Sequence, residues 1–324
     1  MFFNKNSTKE RLKSYVLEKF YGEIGYAYYD FDSGDYSFES KPIIDTSEEI
    51  CGFKDTFVFD PFYIEYENQK LLFYELCGVE KNIYSCVIAC SVINDKGDIT
   101  DTKIMLRPKN SGKKPDAADY TISYPFPIIA NEKLYFVCEE YHSGSTNLYL
   151  YDDKNINGFK FIKRLWSGIR DPNIEYSDDV YWIYGVDSDY NLIVLVSDNI
   201  EGTYHEHFSS KKYQGRMFAR NAGMPFELEG KKIRPFQNCK NVYGELVDFS
   251  QYELTLKNGF ELIDNSTNIK EIKGNSRNPK WIRSKSHHFC PIEITSHGIK
   301  AIIDGGRKRY IYDHGWERIE FDEQ

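Results

Sequence analysis

One short pattern occurs five times along the 324 residues: a residue before proline, an apolar run, a polar turn, then a second apolar run. The copies are DPFYIEYENQKLLFYE from Asp60, YPFPIIANEKLYFVCEE from Tyr124, DPNIEYSDDVYWIYGV from Asp171, MPFELEGKKIRPFQ from Met224 and CPIEITSHGIKAIIDGG from Cys290. Each flank is rich in β-branched and aromatic residues, and each turn carries hairpin chemistry at Asn68, Asn131, Asp178 with Asp179, Gly230 or Gly298. Five hairpins follow from this pattern. Proline at the second position suits the first residue of a strand, where its missing N–H interrupts no ladder.

The five prolines, Pro61, Pro125, Pro172, Pro225 and Pro291, lie 64, 47, 53 and 66 residues apart. Such a period exceeds a lone hairpin and fits one four-stranded blade per repeat. The further strands read as YSCVIACSVI, TNLYLYDD, NLIVLVSD and ELVDFSQYEL. A blade cannot bury both of its faces alone, so five packed around an axis give the continuous core a repeat architecture needs. The expected fold is all-β, a five-bladed β-propeller over residues 23–324, with a two-sheet sandwich as the competing arrangement. Tyr (26) and Phe (22) support strands over helices. Residues 1–22 are expected as a short N-terminal helix, from the capping box at Ser7–Glu10 and the spacing of Leu12, Tyr15, Val16 and Phe20. EIGYAYYDF, which follows, reads as a strand able to complete the last blade.

With 50 acidic against 41 basic residues the net charge is −9, which supplies no broad positive field for nucleic acid. No apolar run approaches the roughly 18 residues of a membrane span, and the N-terminus lacks a secretory core. The seven cysteines form an odd set without paired C-x-x-C spacing. The expectation is a cytoplasmic protein with all seven reduced, most of them small buried residues, and with no metal and no cofactor.

A hairpin that leaves one end of a blade and returns brings its first and last residues to one face. That face collects Asp60 with Glu75, Tyr124 with Glu139, Asp171, then Arg220, Asn221 and Gln237 around the fourth copy, and His287, His288 and Asp304 around the fifth. Any single Asp-Pro is ordinary turn chemistry. Five in phase predict a funnel whose carboxylates could serve acid and base roles and whose aromatic rings could stack on sugars.

Asp60-Pro61 and Asp171-Pro172 resemble the Asp-Pro motifs in the first and third blades of family 43 glycoside hydrolases. The resemblance implies a general base at Asp60 and, at Asp171, a residue that tunes the acid and holds the sugar. The family's fourth-blade Glu in Glu-Gly-Pro is absent; Arg220, Asn221 and Ala222 stand near its place. SYPFPIIANEKLYFVCEE, RNAGMPFELEGKKIRPFQNC and VYGELVDF are similar to the N-terminal propeller domain of glucosamine inositolphosphorylceramide transferases. That likeness covers roughly residues 50–310, is most specific from Arg216 to Gly244, and implies an association with glycan assembly.

Two functions remain open from the sequence. One is a carbohydrate-active enzyme of hydrolysis or glycosyl transfer in cell-surface polysaccharide metabolism, with Asp60, Asp171 and Glu139 catalytic, or Glu75 in place of Glu139 as the acid. The other is a non-catalytic glycan-binding or accessory domain for a partner glycan-assembly enzyme. Either takes a carbohydrate or nucleotide-sugar ligand. Three weaker signals read as solvated turns or linkers: His205 with His207, SGKKPDAADYT, and the basic Arg307, Lys308 and Arg309.

Overall fold

A computed structural model describes residues 16–322 apart from residues 82, 109–120, 142, 153, 155–157, 216–219, 240–243, 265–266 and 314–317. Five antiparallel sheets form the blades of a β-propeller. The first contains Lys54–Tyr66, Gln69–Glu80, Ile83–Ile93 and Ile99–Leu106. The second contains Ile122–Ala130, Lys133–Glu140, Ser145–Tyr151 and Phe159–Ser167. The third contains Arg170–Ser177, Val180–Val186, Leu192–Ser197 and His205–Glu206. The fourth is built on Phe226–Leu228, Lys231–Asn238, Leu246–Thr255 and Gly259–Asp264.

The fifth blade joins the two ends of the chain. Phe289–Ile294 pairs with Gly298–Asp313, and that strand pairs with Val16–Asp30 from the N-terminus. The expected closure by EIGYAYYDF is therefore present, but the strand starts earlier than expected. Residues 16–22 are strand, in register with residues 306–312, and not the end of a helix. The ladder with the long partner strand satisfies their backbone groups, which outweighs a local helical period. The rest of the expected helix, residues 1–15, lies outside the described residues.

Among the described residues, each of the five buried clusters lies at a seam between neighbouring blades. Phe73 of the first blade meets Phe136 of the second, Trp182 of the third meets Tyr252 of the fourth, and Ala27 of the fifth shares a cluster with Phe249 of the fourth. Ile24 with Leu72, and Phe126 with Ile183, belong to the remaining two. Burial on both faces of every blade is the reason a single blade would not be stable alone.

Four of the five hairpin turns place two consecutive residues at positive φ: Glu67–Asn68, Asn131–Glu132, Asp178–Asp179 and Glu229–Gly230. This is the type I′ geometry whose twist matches paired strands, and Asn, Asp and Gly tolerate it best. The prolines behave differently from expectation. Pro61, Pro125 and Pro172 sit inside their strands at register shifts, between Phe59 and Phe62, Ser123 and Phe126, and Arg170 and Asn173. A bulge, like a strand's first residue, leaves a proline without a ladder bond to make.

The cysteine expectation is also corrected. Cys77 and Cys86 stand directly opposite each other on neighbouring strands of the first blade and are disulfide-bonded, with Cα atoms 4.0 Å apart. They are nine positions apart in sequence, a spacing that reveals nothing until the strand register is known. Cys90, Cys138, Cys239 and Cys290 are buried outside this disulfide, and Cys51 is exposed. Among the described residues no helix is long and apolar enough to cross a membrane.

Candidate functional site

The bulges aim the site residues. Asp60, Tyr124 and Asp171, each preceding its proline, have φ of 51°, 54° and 46°. A left-handed residue before proline is disfavoured twice, by its own Cβ and by the proline ring, at about 1–2 kcal/mol or more. Strain repeated in three blades at the same step turns three side chains toward one axis. One strand over, Glu75 pairs with Phe59 and Glu139 with Ser123, so the expected pairing of first and last repeat residues holds in both blades. In the third blade Val186 pairs with Arg170, and an apolar residue takes that place.

The third and fourth blades meet through Asp171. Its carboxylate accepts hydrogen bonds from Arg220 Nε, from Arg220 Nη2 at 3.3 Å and from Gln237 Nε2 at 3.0 Å. Its backbone carbonyl accepts from Asn221 Nδ2 at 2.7 Å, and its backbone N–H donates to Glu139 Oε2 at 3.4 Å. Asn221 is fully buried and also accepts from Arg234 Nε at 2.7 Å. Arg220 thus neutralises an acid in the third blade from its place in the fourth.

The first and fifth blades meet through Asp304. Its Oδ1 accepts from the backbone N–H groups of His287 and His288 at 2.9 and 3.0 Å, its Oδ2 accepts from the Asp60 N–H at 3.4 Å, and its carboxylate pairs with the His287 ring. The two histidines diverge, as alternation along an extended chain requires. His287 lines the pocket described below, whereas His288 is fully buried against the Phe62 ring, 4.5 Å between centroids. His288 Nδ1 stands 3.4 Å from Asp60 Oδ1, an electrostatic contact too poorly directed for a full hydrogen bond. Tyr124 is also fully buried; its hydroxyl donates to Asn173 Oδ1 at 2.8 Å and accepts from the Gly223 N–H at 3.0 Å.

These contacts split the acids into two kinds. Burial opposes ionisation of Asp60, but His288, His287 and Arg220 outweigh it and hold the carboxyl below its ordinary range. Burial and the neighbouring Asp171 charge push Glu139 up to about 7. Glu75 is raised well above the ordinary range by burial and by the charges of Asp60, Glu139 and Asp171. Burial also pushes the Asp171 carboxyl up, with the Arg220 guanidinium pulling against it. Burial would lower the His287 pKa, yet Asp304 raises it to about 9, so the ring is a cation at neutral pH.

A pocket of about 340 Å³ opens beside this cluster, its wall including Phe59, Glu75, Tyr84, Lys285, His287 and Asp304. All eleven site residues expected from the sequence therefore belong to one connected set, in which Glu75, His287 and Asp304 face the pocket. Tyr124, Asn221 and His288 are fully buried beneath it. Sequence reasoning missed Arg234, Asn173 and Gly223. Arg234 had a signal, a cation inside an apolar strand; it is buried, 5.3 Å from the Phe260 ring. The outlying candidates that the structure describes join none of the contacts above. His205 is exposed, while His207 is buried with Nδ1 3.0 Å from Ser209 Oγ. Arg307 pairs with Glu23. Residues 111–120 and the side chains of Lys308 and Arg309 lie outside the described residues.

A five-bladed propeller with paired carboxylates converging on its axis defines the class. Within it, the chain matches the family described as glucosamine inositolphosphorylceramide transferase 1, N-terminal, over residues 38–306, and it belongs to that family. Glucosamine inositolphosphorylceramide transferase 1 of Arabidopsis thaliana is 23% identical over 287 residues, 85% of this chain and 36% of the plant protein. The chain thus spans about a third of that relative. Among solved structures, a β-1,2-mannobiose phosphorylase from Listeria innocua superposes with a TM-score of 0.52 at 11% identity, over 79% of this chain and 92% of that one. A glycosyl hydrolase from Bacteroides ovatus does so with a TM-score of 0.50 at 9% identity, over 91% and 88%. At such identities the likeness is one of fold, and function has to be argued from the site.

Proposed function

We propose that the funnel acts on a glycan or glycoconjugate by general acid–base chemistry, breaking or transferring a glycosidic bond. The observation that carries this reading is the divergence of two carboxyls in one buried cluster. Asp60 is held ionised and suits a base, whereas Glu139, near 7, is protonated often enough at neutral pH to suit an acid. Asp171, fixed by Arg220 and Gln237, holds sugar hydroxyls in this scheme. Glu75 and the His287 cation sit where a bound sugar would meet them. The family's plant member and the phosphorylase and hydrolase neighbours support a carbohydrate ligand, free or as a nucleotide sugar.

A second reading, a glycan-binding module serving a partner assembly enzyme, is favoured by one observation. The sequence carries no fourth-blade Glu-Gly-Pro, and Arg220 and Asn221, near its expected place, are engaged with Asp171. The deciding experiment is a glycan-array and nucleotide-sugar binding screen, followed by a turnover assay on every hit. Turnover that disappears in both Asp60→Asn and Glu139→Gln supports the enzyme. Binding without turnover on any hit overturns it and leaves the module.

A further inference from the structure

The wall of the pocket carries a second chemistry. Glu75 and Cys77 are two residues apart on one strand and so share a face, and Cys86 is the cross-strand partner of Cys77. One atom from each, a Glu75 carboxylate oxygen and the two Sγ atoms, gives a set whose members all lie within 4.8 Å of one another. Glu75 Oε1 is 3.1 Å from Cys77 Sγ. All three side chains are buried in the protein yet border the 340 Å³ pocket. Two sulfurs and a carboxylate oxygen around one point form a donor set, and the two sulfurs have no role in the acid–base scheme above.

We propose that the reduced pair Cys77 and Cys86, with Glu75, binds a thiophilic divalent cation of the zinc class, and that the disulfide is the cation-free state of the same site. Two thiolates on one zinc ion, with Zn–S bonds near 2.3 Å, lie at most about 4.6 Å apart, which the pair meets once the S–S bond is broken. Borderline-soft ions favour thiolate together with carboxylate, whereas magnesium and calcium favour oxygen alone. Three protein ligands leave a fourth position, and the pocket is on the side where water or a ligand hydroxyl would fill it.

The chemistry balances with a small-molecule thiol as reductant. Two thiols give two electrons and two protons to the Cys77–Cys86 bond and leave as their own disulfide; the two cysteine thiols then release their protons to solvent as the cation binds. The second close cluster, Asp60 with His287 and Asp304, is internally paired, so the cation is assigned to the cysteines.

The test uses the whole chain, reduced with a phosphine or oxidised, and equilibrium dialysis against zinc. Reduced protein is expected to retain one equivalent and oxidised protein none. Cobalt in place of zinc should show a thiolate charge-transfer band. Glu75→Gln should weaken zinc binding about tenfold or more, and Cys77→Ser with Cys86→Ser should abolish it, while Cys138→Ser leaves it unchanged. Alkylation mapped by peptide mass spectrometry keeps the test independent of variant folding: in reduced wild-type protein zinc should shield Cys77 and Cys86 selectively. Absence of stoichiometric binding to the reduced protein, equal binding in both redox states, or shielding of other cysteines in their place would overturn the assignment. None of these readouts depends on the carbohydrate function.

Discussion

The guanidinium of Arg220, in the fourth blade, holds both carboxylate oxygens of Asp171, in the third. A buried acid that would otherwise repel Asp60 and Glu139 is thereby fixed and compensated across a blade seam. The Asp171 side chain is 5% exposed and that of Arg220 12%, so little water is present to replace either partner.

Removing the clamp should therefore damage both stability and site. Breaking one side of a buried ion pair costs about 3–5 kcal/mol, because the partner's charge stays buried. Arg220→Met is expected to unfold about that much more easily in urea. It should also raise the Glu139 pKa further, since Arg220 lowers it in the intact protein. Carbon-13 NMR titration of the carboxyl groups reads the second effect. Unchanged stability and an unchanged Glu139 pKa would mean the clamp does not form in solution.

Asp60→Asn should separate catalysis from folding. Asn tolerates the left-handed conformation at position 60 about as well as Asp, so the bulge should persist. Turnover should fall by roughly a hundredfold or more at saturating substrate if Asp60 is the base. Asp60→Ala keeps the φ of 51° without a side chain suited to it, and should lower the melting temperature more than Asp60→Asn does. Equal activity in Asp60→Asn and wild type would remove the base from the scheme.

The pH profile tests the acid. Turnover needs Asp60 ionised and Glu139 protonated, so kcat/KM should decline above pH about 7 as Glu139 ionises. In Glu139→Gln that upper limb should vanish together with most of the rate. A limb that persists in the variant would assign the acid elsewhere, with Glu75 the next residue to replace.

Stability should also depend on pH through His287. Its folded pKa of about 9 lies above the ordinary 6.5, so the folded state holds the proton more tightly. The stabilisation is fully present below pH about 6.5 and is lost as pH rises toward about 9. The melting temperature is expected to fall across that window, and His287→Gln should flatten the fall. A wild-type melting temperature that is constant from pH 6.5 to 9 would contradict the His287–Asp304 pair.

Gly223→Ala probes the seam between the fourth and fifth blades. Gly223 has φ of 117°, and an added Cβ would lie 2.2 Å from the Phe289 carbonyl oxygen and 2.8 Å from His288 Nε2. Backbone strain and a clash with backbone should together destabilise by about 2 kcal/mol or more. Thermal melting of the variant reads this; a shift within error would mean the seam has room.

The propeller was legible because its signals are local. Hairpin turns at Asn68, Asn131, Asp178 with Asp179 and Gly230, and alternating apolar runs beside them, recur with the chain's own period. The same repeat brought Asp60 with Glu75 and Tyr124 with Glu139 to one face, because a hairpin's two ends meet whatever surrounds it. Which of these side chains would face open space was not legible. Tyr124, Asn221 and His288 have the composition of ligand contacts, yet packing at the blade seams buries all three.

The sequence alone determined the number of blades, the closure of the ring by the N-terminal strand and most of the polar cluster, since each rests on turn chemistry, side-chain alternation and repeat spacing. Only the tertiary structure decided that Arg220 answers Asp171, that Cys77 meets Cys86, and that the pKa of Asp60 is pushed down while that of Glu139 is pushed up. Those relationships depend on strand register and on which charges share a buried, poorly screened volume, and blades packed about an axis set both between residues far apart in the chain.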